Sequence, residues 1–131
     1  MGYALPAAIG VKIAAPEKQT IVVCGDGAFQ MTNNELSTMV EQGCDVKIVL
    51  LNNRTLGMVC ELQRIAKRHK FAVALPDTPD FSKLADAFGV KSRRISQDAD
   101  MADAIAEMLA YDGPYLLECV VSEAENSKVN M

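Results

Sequence analysis

The feature that most constrains this chain is a regular alternation of apolar, strand-length runs with segments of helical periodicity. Thr20-Ile-Val-Val-Cys24, Lys47-Ile-Val-Leu-Leu51 and Tyr115-Leu-Leu-Glu-Cys-Val-Val121 are the strong runs, and Lys91 to Ile95 is a shorter, weaker fourth. Continuous runs of this kind suit strands buried on both faces of a parallel sheet. Leu5 to Ala15 reads as a helix that tolerates Pro6 in its first turn. Thr32-Asn-Asn-Glu35 matches a capping box, opening a helix to about Gln42 that Gly43 closes. Gly57 to about Lys70 is helical by periodicity, with Met58, Leu62 and Ile65 on one side. Thr78-Pro79-Asp80 reads as cap, first helical position and first-turn acid of a helix ending before Gly89. Asp98 or Asp100 starts the last helix, which Asp112-Gly113-Pro114 stops. Strands separated by helices imply right-handed crossovers. The expected fold is α/β: a three-layer, doubly wound parallel sheet with helices on both faces.

Bulk properties bound the function. A chain of 131 residues with half of them hydrophobic can bury a real core as one domain, residues 1–131. A net charge of −4, with both signs mixed along the chain, argues against nucleic acid as a partner. The one basic cluster, Lys67-Arg68-His69-Lys70 with Arg64 upstream, reads as a solvated helix end. The segment from Gly2 to Val11 contains a proline and no preceding basic residues, so it reads as neither a signal peptide nor a membrane span. Cys24, Cys44, Cys60 and Cys119 show no CxxC or Cys/His metal spacing. Buried, reduced thiols and a cytoplasmic location are the expectation.

In a parallel α/β sheet, ligands bind beyond the carboxyl ends of the strands. Two motifs stand there. Asp26, flanked by Gly25 and Gly27, ends the first strand, and Asn52-Asn53 ends the second. Gly-Asp-Gly alone is an ordinary turn. If the two strands are neighbours, however, Asp26 and Asn53 emerge at one edge and offer a carboxylate and an amide oxygen. That is a hard-oxygen pair suited to Mg²⁺, which is commonly completed by substrate phosphates. One carboxylate leaves the ion about one positive charge, enough for an acidic domain to hold a diphosphate. Backbone amides near Gly27 and the helix start near Thr32 would add donors.

Gly25-Asp26-Gly27, a spacer, then Asn52-Asn53 resembles the signature of thiamine-diphosphate enzymes that decarboxylate or join 2-oxo acids. Met1-Gly-Tyr-Ala-Leu-Pro-Ala-Ala-Ile-Gly10 and Leu51-Asn-Asn-Arg-Thr-Leu-Gly-Met-Val59 bring it closer to the catalytic subunit of acetolactate synthase, over Met1 to about Asn126. The resemblance implies that Asp26, Asn53 and the Thr55 carbonyl bind Mg²⁺. It implies diphosphate contacts from Gly25, Gly27, Ala28, Leu56 and Gly57, with Met58 and Val59 packed near the cofactor's rings. Met1 matches the bulky residue that props the cofactor in its bent shape. The implied reaction is decarboxylation of a 2-oxo acid such as pyruvate and transfer of the remainder to a second carbonyl, as in branched-chain amino-acid biosynthesis. The activating glutamate would come from an amino-terminal, pyrimidine-binding domain of the same or another chain. No catalytic residue is therefore assigned within these 131 residues, and the isolated chain is expected to be inactive.

The chain also departs from that family. Leu62 stands where the synthases carry a tryptophan, and Arg64 to Leu75 lacks the aromatic residues expected there and is about one residue shorter. Met58 and Leu62 read equally as core positions. A split 2-oxo-acid decarboxylase and a non-catalytic cofactor-binding or assembly module stay open as alternatives. Apolar surface before Lys12 and along Met58 to Ile65 predicts homo-oligomers.

Overall fold

The computed structural model describes residues 1–122. In chain order these form α1 (Ala4–Ala14), β1 (Thr20–Gly25), α2 (Asp26–Gln30), α3 (Glu35–Glu41), β2 (Val46–Asn52) and α4 (Gly57–Ile65). They continue with α5 (Phe81–Ala87), β3 (Lys91–Ile95), a 3₁₀ turn (Asp98–Asp100), α6 (Met101–Ala110) and β4 (Tyr115–Val120). The four strands pair in the order β1-β2-β4-β3, all parallel. This is the expected α/β sheet with helices on both faces.

Strand parity sorts the core. Val46, Ile48 and Leu50 of β2 share one face with Val22 and Cys24 of β1 and Leu116 of β4, under residues of α1, α2, α3 and α5. Tyr115, Leu117 and Cys119 turn to the other face with Ile95, under Ala104 and Met108 of α6. Each such side chain taken out of water stabilises the fold by roughly 1.5–3 kcal/mol. Lys47, although charged, is buried at the amino-terminal end of the sheet. Its ammonium donates to Asp45 at 2.5 Å and to the Tyr111 and Gly113 carbonyls at 2.6 Å each, which ties the turn before β4 to β2.

Several expectations need correction. β1 is not covered on both faces: Ile21 and Val23 are 48% and 59% exposed, because α6 packs mainly on β3 and β4. The capping box at Thr32 does not form. The Thr32 hydroxyl meets no hydrogen-bond partner among the described residues, and Met31 before it and Asn34 after it are both helical. Glu35 instead accepts from the Thr38 hydroxyl at 3.0 Å, and an unforeseen short helix, α2, begins directly at Asp26. The cap of α5 is Asp80, not Thr78. Asp80 is extended, and its carboxylate accepts from the Lys83 N–H at 3.1 Å. α4 stops at Ile65, and Lys67 adopts a left-handed φ of 52°, so the basic cluster lies in the exposed turn beyond the helix. Among the described residues no helix is long and apolar enough to cross a membrane.

Candidate functional site

The adjacency on which the site depends is present. β1 and β2 are parallel neighbours with Gly25 opposite Leu51, so both strands end at the same edge of the sheet. A cleft of about 470 Å³ opens there. Met1, Gly25, Asp26, Gly27, Ala28, Asn53, Thr55, Leu56, Gly57, Met58 and Val59 all line it. The sequence-predicted positions thus fall around one cavity. α3 is not part of it, so the amide donors expected near Thr32 are not supplied from that helix.

Asp26 is the polar centre of the cleft. Its side chain is 1% exposed, yet each carboxylate oxygen has a backbone partner. Oδ1 accepts from the Gly27 N–H at 2.8 Å, and Oδ2 accepts from the Arg54 N–H at 2.8 Å. Burial pushes the Asp26 carboxyl above the ordinary carboxylate range, and these two N–H groups oppose that rise. A carboxylate offers about four lone-pair positions, so two hydrogen bonds leave capacity for a cation.

Asn53 stands just beyond β2. Its Oδ1 accepts from the Thr55 N–H at 3.0 Å, closing a tight turn around Arg54, whose φ is 53°. The segment after the turn is held by an isolated antiparallel bridge between Thr55 and Ala74. The bridge uses the Leu56 N–H to Val73 and the Arg54 carbonyl to Leu75. In such pairing the intervening residue directs its own peptide groups to the opposite side, so those of Thr55 turn away from the bridge.

Two glycines shape the walls. A Cβ on Gly27 would lie 2.6 Å from Leu56 Cδ2, and one on Gly57 would lie 3.4 Å from Asn53 Nδ2. Gly27 lets Leu56 pack down on α2, and Gly57 lets the first turn of α4 close on Asn53. The first N–H groups of that helix have no intrahelical acceptor, and their residues Gly57, Met58 and Val59 line the cleft. Met58 and Leu62 are 62% and 55% exposed, so neither is a core position here.

Sequence reasoning missed Leu51, Val121 and Ser122, which complete the lining. The signal was available in principle: β4 lies beside β2, so its carboxyl end opens on the same edge. Among the described residues no group of three or more His, Cys, Asp or Glu gathers as a metal cluster. Any cation in this cleft would depend on one carboxylate with amide and backbone oxygens. That donor set fits Mg²⁺, which favours oxygen and takes few carboxylates when phosphates complete its shell.

The family model described as "Thiamine pyrophosphate enzyme, C-terminal TPP binding domain" matches residues 1–119. The chain belongs to the thiamine pyrophosphate enzymes. Within that family it is 42% identical, over 96% of its length, to the acetolactate synthase large subunit of Pyropia yezoensis. It is 40% identical, again over 96% of its length, to the acetolactate synthase isozyme 2 large subunit of Escherichia coli strain K12. The chain spans 22% and 23% of those relatives. A solved structure of the thiamine diphosphate-dependent 4-hydroxybenzoylformate decarboxylase of Rhodococcus jostii RHA1 superposes with a TM-score of 0.85. That match is at 30% identity and covers 93% of this chain and 23% of that one. For a thiamine pyrophosphate enzyme, the cleft at the ends of β1, β2 and β4 stands at the carboxyl edge where this fold class binds ligands.

Proposed function

We propose that this chain binds the diphosphate of thiamine diphosphate through Mg²⁺, as the cofactor-binding domain, residues 1–131, of a longer 2-oxo-acid carboligase like acetolactate synthase. The observation that carries the reading is Asp26: a buried carboxylate, held by two backbone N–H groups, in a cleft it shares with Asn53 and Thr55. Asp26, Asn53 Oδ1 and the Thr55 carbonyl hold the ion. Gly25, Gly27, Ala28, Leu56 and Gly57 offer backbone to the diphosphate, and Met1, Met58 and Val59 border the rings. The first-turn amides of α4 favour an anion at this wall. When bound, thiamine diphosphate supplies the carbanion-stabilising chemistry for decarboxylating a 2-oxo acid.

What these residues do is bind and orient. The Arg54 and Gly27 N–H groups keep the Asp26 carboxylate aimed, so little reorganisation accompanies metal capture. No acid or base for the reaction is assigned in this chain. In this reading the activating glutamate comes from an amino-terminal, pyrimidine-binding domain of the same or another chain, within a cytoplasmic homo-oligomer. The test is to mix the chain with a protein carrying that domain and to measure carbon dioxide released from pyruvate. Release that needs both proteins and Mg²⁺ supports the reading; release by the partner alone at the same rate contradicts it. The likeness to a decarboxylase, together with Leu62 in place of the synthases' tryptophan, favours a second reading as a simple 2-oxo-acid decarboxylase. An aldehyde product instead of a 2-hydroxy-3-oxo acid would select it.

A further inference from the structure

Glu118 sits in the middle of β4, 1% exposed, on the sheet face that carries the main core. Its neighbours on that strand, Leu116 and Leu117, are fully buried apolar residues. Its carboxylate is poorly compensated for such a place. Oε1 accepts from Asn52 Nδ2 at 2.7 Å and lies 3.6 Å from the half-exposed Arg94 guanidinium, while Oε2 meets no hydrogen-bond partner among the described residues. A buried carboxylate with one oxygen unsatisfied destabilises a core relative to an apolar side chain of similar size. Packing does not account for it.

The contact it does make leads to the site. Asn52 is itself buried, and as the last residue of β2 it shares a sheet face with Leu50 and with Glu118. Glu118 Oε1 accepts from the Asn52 NH₂ group and so fixes the amide with that group toward β4. The Asn52 oxygen is thereby turned to the Arg54 N–H, which donates to it at 3.2 Å while also donating to Asp26 Oδ2 at 2.8 Å. One chain of contacts therefore runs from Glu118 through Asn52 to the Arg54 N–H and to Asp26.

We infer that Glu118 is a positioning residue: through Asn52 it orients the Asn53-Arg54 turn against Asp26 and so sets the Mg²⁺ affinity of the cleft. The inference rests on the proposed metal and diphosphate reading and adds to it two residues that do not line the cleft. Polar networks of this kind hold their members in one arrangement only while every link is made.

The test uses the 131-residue chain with Glu118→Leu, Glu118→Gln and Asn52→Ser. Amide hydrogen exchange is followed at Arg54 and at the core positions Ile48 and Leu117. The Mg²⁺ half-saturation of thiamine diphosphate binding is measured by calorimetry. Glu118→Leu is expected to speed exchange at Arg54 about tenfold more than at the core amides and to raise the Mg²⁺ half-saturation about tenfold. Glu118→Gln keeps an acceptor for Asn52 and is expected to restore both to within about threefold. Should Glu118→Leu not fold, Asn52→Ser breaks the same chain and decides the matter with the same expected changes. Equal acceleration at Arg54 and at the core, or a Mg²⁺ half-saturation unchanged in both breaking variants, overturns the inference. A parent chain without Mg²⁺-dependent binding contradicts the proposed function and removes the affinity half of the inference, while exchange at Arg54 still reads the contact chain.

Discussion

Asp26 Oδ2 accepts a 2.8 Å hydrogen bond from the backbone N–H of Arg54, 28 positions further along the chain. This bond joins the loop after β1 to the loop after β2. Parallel pairing alone brings the two strand ends to one edge. The bond does more, because it locks the turn that carries Asn53 and Thr55 to the only carboxylate that lines the cleft among the described residues.

Gly27→Ala places a Cβ 2.6 Å from Leu56 Cδ2 and forces Leu56 toward the cleft. Overpacking of this kind costs about 1–3 kcal/mol, although the flexible end of a leucine yields more readily than backbone. Thermal unfolding should show a Tm lowered by several degrees, with cofactor binding weakened more than stability alone explains.

Tyr115 is fully buried, and its hydroxyl donates to Glu107 at 2.9 Å. Burial, followed by the Glu107 carboxylate, pushes the phenol from 10.0 up to about 12. The folded-state pKa lies above the unfolded one, so this stabilisation is complete below pH 10 and fades as pH rises toward about 12. Tyr115→Phe should lower Tm by a few degrees at neutral pH and flatten the loss of stability across that alkaline window. A slope unchanged from the parent would assign the alkaline loss to other groups.

Three of the four cysteines, Cys24, Cys44 and Cys119, are buried, and Cys60 on α4 is partly exposed. Burial raises the Cys24 thiol to about 11 and moves Cys119 in the same direction. A thiol reagent at pH 8 should modify Cys60 rapidly and the other three only as fast as the fold opens. Rapid modification of Cys24 would contradict the packing of β1.

Leu62 is more than half exposed, so Leu62→Ala should change stability by less than about 0.5 kcal/mol. The expected effect is instead on which second substrate is accepted once the full enzyme is assembled, read from product ratios.

Much of the fold was legible because its signals were local. The run Thr20 to Cys24 and the Asp112-Gly113-Pro114 stop each name their own structure. The strand-end motifs were legible because a parallel sheet converts two separate loops into one edge. The misses were tertiary. Exposure of Ile21 and Val23 depends on how far α6 reaches, which no local pattern encodes. Thr32-Asn-Asn-Glu35 has capping-box residues, but the preceding residues already run in helical conformation, and backbone continuity outweighed the side-chain bond. Glu118 drew no separate reading within the run Tyr115 to Val121. Its meaning required knowing that β4 lies beside β2 and that Leu50 stands opposite it.

The most direct measurement is calorimetric titration of the 131-residue chain with thiamine diphosphate, with and without Mg²⁺, beside Asp26→Ala. The account predicts weak binding by the parent that disappears when Mg²⁺ is chelated. It also predicts that Asp26→Ala loses the Mg²⁺-dependent part, at least about tenfold in affinity or about 1.4 kcal/mol. Equal affinity of parent and Asp26→Ala, both in Mg²⁺, would contradict it.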